Sequence, residues 1–233
     1  DNDTKNICIA LNYAPINNYT TRMKGINYAL GLRVEDSYYK GTLKNKNDSS
    51  FLYHYPSTLN NLMNAIFPSL FISKKLTEKQ EIQFNVSRKI NRPGFRQLMP
   101  FIIALDPKNY LIGNPNLTPE FITLSELNFN QYLKNGNLFF SLFYRNTQNP
   151  ITAFIQPSAV DPTILVNTSI NGKQSHTIGM DNTFKYTLFK GFEATFNMNL
   201  FYVRINANYK SVIATNEGFN YNGKLNLAYM DDT

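Results

Sequence analysis

The chain has 233 residues, enough for one large domain or two small ones, with 14% aromatic residues, no Trp and only 17% charged residues. That aromatic content excludes a disordered chain, and the low charge departs from the usual quarter of a soluble domain. The formal net charge of +7 comes from Lys and Arg scattered without a dense run, so nucleic acid is not an expected partner. The lone Cys8 allows neither an intrachain disulfide nor a cysteine metal cluster. No stretch of about 18 apolar residues occurs, so no membrane helix is expected, which leaves a membrane β-barrel open. The sequence opens at Asp1 without Met or a signal peptide, as a processed or excised piece would.

The first expected strand is Asn6 to Ala14, with Ile7, Ile9, Leu11 and Tyr13 on one face, broken by the turn-forming PINNYTTR of residues 15–22. In Gly25 to Asp36, Ile26, Tyr28, Leu30, Leu32 and Val34 alternate with Asn27, Ala29, Gly31, Arg33 and Glu35. Residues 38–66 are polar and irregular. Phe67 to Lys75 sets Leu70 and Ile72 against Ser69 and Ser73, and Gln80 to Arg88 sets Ile82, Phe84 and Val86 against Glu81, Gln83, Asn85 and Ser87. Residues 89–119 form a long connection rich in Pro and Gly. A fifth strand, Glu120 to Tyr132, carries Leu127 and Phe129 opposite Glu126, Asn128 and Asn130. Lys134-Asn135-Gly136 is a tight reversal, because Asn-Gly readily supplies positive φ. Leu138, Phe140, Leu142 and Tyr144 mark the sixth strand, read as running on past Arg145 toward Ile155.

After a loop near Pro157 to Pro162, a seventh strand, irregular at Asn171-Gly172, has Ile178, Met180, Phe184, Tyr186 and Leu188 opposite Gly179, Asp181, Thr183 and Lys185. The eighth, Gly191 to Val203, is the most regular. Phe192, Ala194, Phe196, Met198, Leu200 and Tyr202 fall on one face, and Glu193, Thr195, Asn197, Asn199 and Phe201 on the other. Alternation held that long is about twice the usual soluble strand. The ninth, Gly218 to Met230, sets Phe219, Tyr221, Leu225, Leu227 and Tyr229 against Asn220, Asn222, Lys224 and Asn226.

A strand of about 9–11 tilted residues crosses a bilayer, apolar toward lipid and polar toward a wet interior. One such strand would suit a soluble sandwich equally well, so the connections decide. Long ones follow the second, fourth, sixth and eighth strands, and short ones follow the first, third, fifth and seventh. Short periplasmic turns and long external loops give a membrane barrel this alternation. The expected fold is therefore all-β, a transmembrane antiparallel barrel segment of about nine strands over residues 1–233, with 89–119 as a long external loop. Leu30, Leu32, Phe84, Phe140, Leu142, Phe184, Phe196, Met198, Leu200, Leu225 and Leu227 are expected to face lipid. Arg33, Glu35, Glu126, Asn128, Asn130, Asp181, Lys185, Glu193, Asn197 and Asn199 are expected to line the lumen. Tyr13, Tyr28, Tyr144, Tyr186, Tyr202 and Tyr229 are candidates for interfacial girdles. Nine is odd, whereas single-chain bacterial barrels have even counts, and an open edge in lipid costs several kcal/mol per unpaired group. The chain is thus expected to be part of a larger barrel.

Residues 89–119 carry turns at Asn91-Arg92-Pro93-Gly94, Asp106-Pro107, Gly113-Asn114-Pro115 and Thr118-Pro119. A loop this long is functional or disordered, and Phe95, Leu98, Met99, Phe101 and Tyr110 argue for an ordered one, anchored by Phe95, Phe101 and Tyr110. Around it, Ser87, Arg88, Ile90, Asn91, Arg92, Pro93, Phe95, Leu98, Pro100 and Phe101 fit the phrase SRRINRPxFxxLNPF. Asp106, Pro107, Asn109, Tyr110, Gly113, Asn114, Pro115, Asn116, Leu117, Pro119 and Glu120 fit DPxNYxxGNPNLxPE. With these runs the chain closely resembles the outer-membrane β-barrel family of TonB-dependent receptors of Bacteroidetes-type bacteria. Met99 and Lys89 depart from the phrase.

The resemblance implies a 22-stranded barrel closed by an N-terminal plug and energised through TonB. Such receptors take up iron chelates, cobalamin, glycans or peptides. Partners implied are outer-membrane lipid and lipopolysaccharide, the protein's own plug and TonB, and a surface lipoprotein. A non-transporting binding or structural barrel is the alternative.

No catalytic or cofactor-binding constellation emerges. His54 and His176 lie far apart without a third ligand, Glu120 and Glu126 read as a loop-end and a lumen carboxylate rather than an acid/base pair, and Ser141 has no nucleophile-elbow context. Arg88, Arg92 and Arg96 suit anionic ligands or lipopolysaccharide phosphates through their guanidinium forks. The plainer reading is that they pair with Asp106 or Glu120 and hold the loop together.

Overall fold

The structure, a computed structural model, describes residues 6–7, 17–23, 25–37, 39–45, 48–55, 58–209 and 212–229. In chain order the strands are β1 (Asn6–Ile7), β2 (Asn17–Met23), β3 (Ile26–Val34), β4 (Tyr39–Asn45), β5 (Asp48–Tyr55), β6 (Ile66–Thr77), β7 (Gln80–Asn91) and β8 (Ile102–Asp106). They continue as β9 (Asn109–Ile112), β10 (Glu120–Leu133), β11 (Gly136–Gln148), β12 (Ile151–Pro157), β13 (Leu165–Asn171), β14 (Gln174–Phe189), β15 (Phe192–Tyr209) and β16 (Val212–Tyr229). Two one-turn α-helices, α1 (Leu62–Ala65) and α2 (Phe95–Leu98), sit in the connections.

One nine-stranded sheet carries the fold, in the order β16-β15-β14-β11-β10-β7-β6-β3-β2, every described pairing in it antiparallel. Short turns join its strands at one end. At the other end the connections build two small sheets, β1-β4-β5 and β12-β13-β9-β8.

Directly paired residues share a sheet face, so the register lets whole rows be read across the strands. Thr21, Tyr28, Ile72, Phe84, Leu127, Leu142, Met180, Leu200 and Tyr221 form one row, apolar from Tyr28 to Leu200. One residue along, Asn27, Ser73, Gln83, Asn128, Ser141, Asp181, Asn199 and Asn222 form a row that is polar throughout. Taken hairpin by hairpin, the apolar row lies nearer the short turns on going from Leu200 and Met180, through Leu142 and Leu127 and then Phe84 and Ile72, to Tyr28 and Thr21. That steady stagger is what tilted strands of a closed barrel require.

Several expectations are corrected. The Asn6 to Ala14 strand lies largely outside the described residues, and its Asn6–Ile7 pairs with β4 rather than joining the large sheet. The first strand of the sheet is β2, inside the segment read as a turn. Tyr19, Thr20 and Thr21 favour strand, and the reversal is displaced to Gly25, which adopts φ 76°. Residues 38–66 are not irregular, since β4 and β5 form a hairpin there. The sixth strand ends at Gln148, and β12 beyond it belongs to another sheet. The seventh is divided at Asn171-Gly172 between β13 and β14. The long connection expected after the eighth strand is instead a continuation of the ladder, with β15 and β16 paired out to Tyr209 and Val212. Gly136 does not supply positive φ. A Cβ there would stand 2.1 Å from the Lys185 carbonyl oxygen, so glycine is required by the close approach of β14.

The sheet forks at one place. The β6–β7 ladder stops at Ser69–Ser87, although β6 still pairs with β3 out to Ile66 and β7 with β10 out to Asn91. Pro68, the next residue of β6, has no N–H to give a ladder. The gap is closed at the top by α1, whose Met63 carbonyl accepts a hydrogen bond from Arg88 Nη1.

Candidate functional site: the polar face and the clamped loops

The connections at the long-loop end are stitched together by the GNPNLTPE run. Gly94 opens α2 by donating its N–H to Gln97 Oε1 at 2.8 Å. The Gly113 N–H donates to the Met99 carbonyl at 2.9 Å and the Asn114 N–H to the Gln97 carbonyl at 2.6 Å, which presses the run against α2. The Asn114 side chain reaches the Ser169 carbonyl at 2.9 Å and also caps its own turn through the Asn116 N–H. Asn171 completes the clamp: its Oδ1 accepts from the Thr118 N–H, and its Nδ2 donates to the carbonyls of Thr118 and Asn149, all within 2.9 Å. Glu120 accepts from Asn91 Nδ2 at 2.6 Å and from the Ile151 N–H. Leu98 (4% exposed) and Leu117 (2%) form the small core under this lattice, with Ile151 packed against them, and Pro119 is fully buried.

The loop is therefore ordered, but its anchors are not those the sequence suggested. Phe95 is 41% exposed, and Phe101 and Tyr110 are only half-buried. Within the one-turn helix α2, Phe-Arg-Gln-Leu, the buried side chain is Leu98 and not Phe95. The arginines are also corrected. Arg92 pairs with Glu35, which is 7% exposed and also holds Arg33 at 2.8 Å, and Arg92 Nε donates to Ser37 Oγ at 2.8 Å. Arg88 holds Met63, and Arg96 stands exposed at the end of α2. Asp106 is used within its own turn, accepting from the Lys108 N–H and Asn109 Nδ2, both at 2.8 Å. Those bonds hold its carboxyl below the ordinary carboxylate range.

Below the clamp, the register gathers Glu126, Asn128, Asn130, Asp181, Lys185, Glu193, Asn197 and Asn199 on one face of the sheet, with Arg33 at its upper end and Glu35 just beyond β3. They form cross-strand pairs: Lys185 with Glu193 at 2.9 Å, Thr183 with Asn197 at 2.9 Å, and Asn199 with Asp181. Leu30, Leu32, Phe84, Phe140, Leu142, Phe184, Phe196, Met198, Leu200, Leu225 and Leu227 share the opposite face, as do Tyr28, Tyr144, Tyr186, Tyr202 and Tyr229. Tyr13 and the His54 side chain lie outside what is described. On the polar face, sequence reasoning missed an aromatic patch. Phe143 is buried above Gly179, where a Cβ would stand 2.7 Å from its ring, Phe201 lies on the same row, and the Arg145 guanidinium is 5.8 Å from the Phe143 ring. The small residue at position 179, opposite a strand Phe, was the available signal.

A nine-stranded, staggered antiparallel sheet with one apolar and one polar face, short turns at one end and built-up loops at the other, is a section of an outer-membrane β-barrel. The chain belongs to the outer membrane protein beta-barrel family, whose family model matches residues 12–232. It is a multi-pass barrel protein of the outer membrane. No curated protein matches it in sequence. Among solved structures it is similar to the hemophore receptor HasR of Serratia marcescens, solved with its hemophore HasA and heme, with TM-score 0.58 and 14% identity over 92% of this chain and 45% of that one. It is also similar to the siderophore receptor PirA of Pseudomonas aeruginosa, with TM-score 0.54 and 13% identity over 92% of this chain and 49% of that one. A mutant ferric enterobactin receptor of the same organism gives TM-score 0.51 and 16% identity over 84% of this chain and 30% of that one. The chain thus spans less than half the length of each, and at these identities the likeness concerns the fold.

Proposed function

We propose that this chain is part of the barrel wall of a TonB-dependent outer-membrane transporter for a scarce nutrient. The observation that carries the reading is the pair of unbroken rows, one apolar and one polar, across the sheet of a chain that belongs to an outer-membrane barrel family. The apolar face meets lipid, with the tyrosines near its rims. The polar face lines the lumen and meets a plug domain, so that TonB acts on the full-length protein rather than on the barrel wall. The long-loop end is external, and the clamped loops over residues 89–119 and 149–173 contribute substrate contacts. The whole of 1–233 is one barrel segment of a 22-stranded barrel. The GNPNLTPE run supports a Bacteroidetes-type member, for which a surface lipoprotein is a further partner. The cargo belongs to one of four classes, iron chelates, cobalamin, glycans or peptides; receptors named for a siderophore, ferric enterobactin and a hemophore, and also a copper transporter, have similar folds and single out none of them. The chain is read as a conduit and not as an enzyme.

The test is deletion of the full-length gene, followed by TonB-dependent uptake of iron chelates, cobalamin, glycans and peptides. Loss of uptake for one class supports the reading. Unchanged uptake of all of them, with the barrel present at the surface of the parent strain, favours a binding or structural barrel that moves nothing.

A further inference from the structure

The fork in the sheet leaves a groove on the apolar face. It is about 500 Å³ in volume and is walled by Leu30, Leu32, Pro68, Leu70 and Val86, with Arg88 at its long-loop end. That volume falls within the range of roughly 300–1,000 Å³ typical of small-molecule sites. Leu30 and Leu32 are each about half exposed (52% and 47%), so the groove is open to whatever surrounds the barrel. The geometry points to a seat for a phosphorylated lipid of the outer leaflet, with one acyl chain along the groove and the phosphate on Arg88. This rests on the orientation of the sheet proposed above.

Arg88 is the reason to choose an anionic lipid over a neutral one. It shares its face with Val86 and Phe84, and a cation on the membrane face of a barrel is tolerated near an interface but costly at mid-depth. Its guanidinium lies 5.1 Å from the centre of the Phe121 ring, and Nη1 donates to the Met63 carbonyl, so its plane is fixed from two sides. A guanidinium has five N–H donors in a fork that matches a phosphate, and the described hydrogen bonds use one of them. Arg204, on the same face, offers no such site, because Glu217 stands 3.7 Å from it. Leu62 and Met63 of α1 are each more than half exposed beside the Arg88 contact and extend the apolar wall at headgroup height.

The full-length protein would be extracted from outer membranes in mild detergent, and the bound lipopolysaccharide counted by native mass spectrometry. The same count would follow incubation with vesicles of zwitterionic phospholipid, with and without added lipopolysaccharide. The wild type should retain the phosphorylated lipid through delipidation. Arg88→Gln should lower its retention about fivefold or more, Arg88→Lys should restore part of it, and Arg204→Gln should leave it unchanged. Val86→Trp, which fills the groove while keeping Arg88, should also lower it, and it decides alone if Arg88→Gln does not fold. Equal retention by folded wild type, Arg88→Gln and Val86→Trp would overturn the site, as would an equal fall in Arg204→Gln. Either result leaves the uptake test of the transporter reading untouched.

Discussion

Gly113 lies so close to Met99 that a Cβ at position 113 would stand 2.3 Å from the very carbonyl oxygen its own N–H bonds at 2.9 Å. No side chain fits without moving α2 or the GNPNLTPE run. Gly113→Ala should therefore loosen the clamp, at a cost of about 1–3 kcal/mol from overpacking. Limited proteolysis of the refolded protein should show faster cleavage within residues 92–119 while the nine-stranded sheet stays intact. Cleavage at the wild-type rate would mean that the contact is not tight.

Asn171 should be the most sensitive polar residue of the loops. Three hydrogen bonds reach Thr118 and Asn149 from its side chain, and Asn149 holds φ 53°, a conformation that asparagine tolerates better than most residues. Asn171→Leu leaves those backbone groups without their partner, at about 1–3 kcal/mol for each one that remains buried. Amide exchange at Thr118 should rise severalfold, whereas exchange in β15 should not change.

The turn at Asp106 should respond to acid. Its carboxyl is held below its ordinary value mainly by the Lys108 N–H and then by the Asn109 side chain. A depressed folded pKa contributes stability that is present above the unfolded value of about 3.9 and is lost as pH falls through the folded one. Order in the 106–109 turn, followed by NMR of Lys108 and Asn109, should thus hold at neutral pH and fall below about pH 3.9. Asp106→Asn should remove that dependence.

The large sheet was legible because period-two alternation fixes the face of a residue whatever strand it pairs with. Leu200 and Asn199 could be assigned opposite faces without knowing that Met180 and Asp181 stand beside them. The count of nine also held, although its first member moved from Asn6–Ala14 to Asn17–Met23, where alternation is weak and only Tyr19, Thr20 and Thr21 favour strand. The clamp was half legible. The GNPNLTPE run stood out by its turn residues, but its partners Asn171, Gln97 and Ser169 are brought to it by long-range folding that leaves no local pattern. Arg92 was misassigned for the same reason, since Glu35 lies far away in sequence and reaches it only because β3 and β7 flank β6.

The sidedness of the loops is open to labelling. In a Cys8→Ser background, single cysteines would replace Lys108 in the loops and Lys134 or Lys190 at the short turns. A membrane-impermeant thiol reagent on whole cells should modify position 108 and spare 134 and 190. Labelling of the two turns with protection of position 108 would invert the orientation.

The central claim is that the row through Leu200 faces lipid and the row through Asn199 faces a wet lumen. Refolding into lipid vesicles, with equilibrium unfolding in guanidinium, measures it directly on Leu200→Arg and Asn199→Arg in the full-length barrel. Leu200→Arg should cost about 2–4 kcal/mol if the residue lies near mid-membrane, and Asn199→Arg much less, because only the first places a cation in hydrocarbon. Equal cost at the two adjacent positions would contradict the two-faced membrane wall.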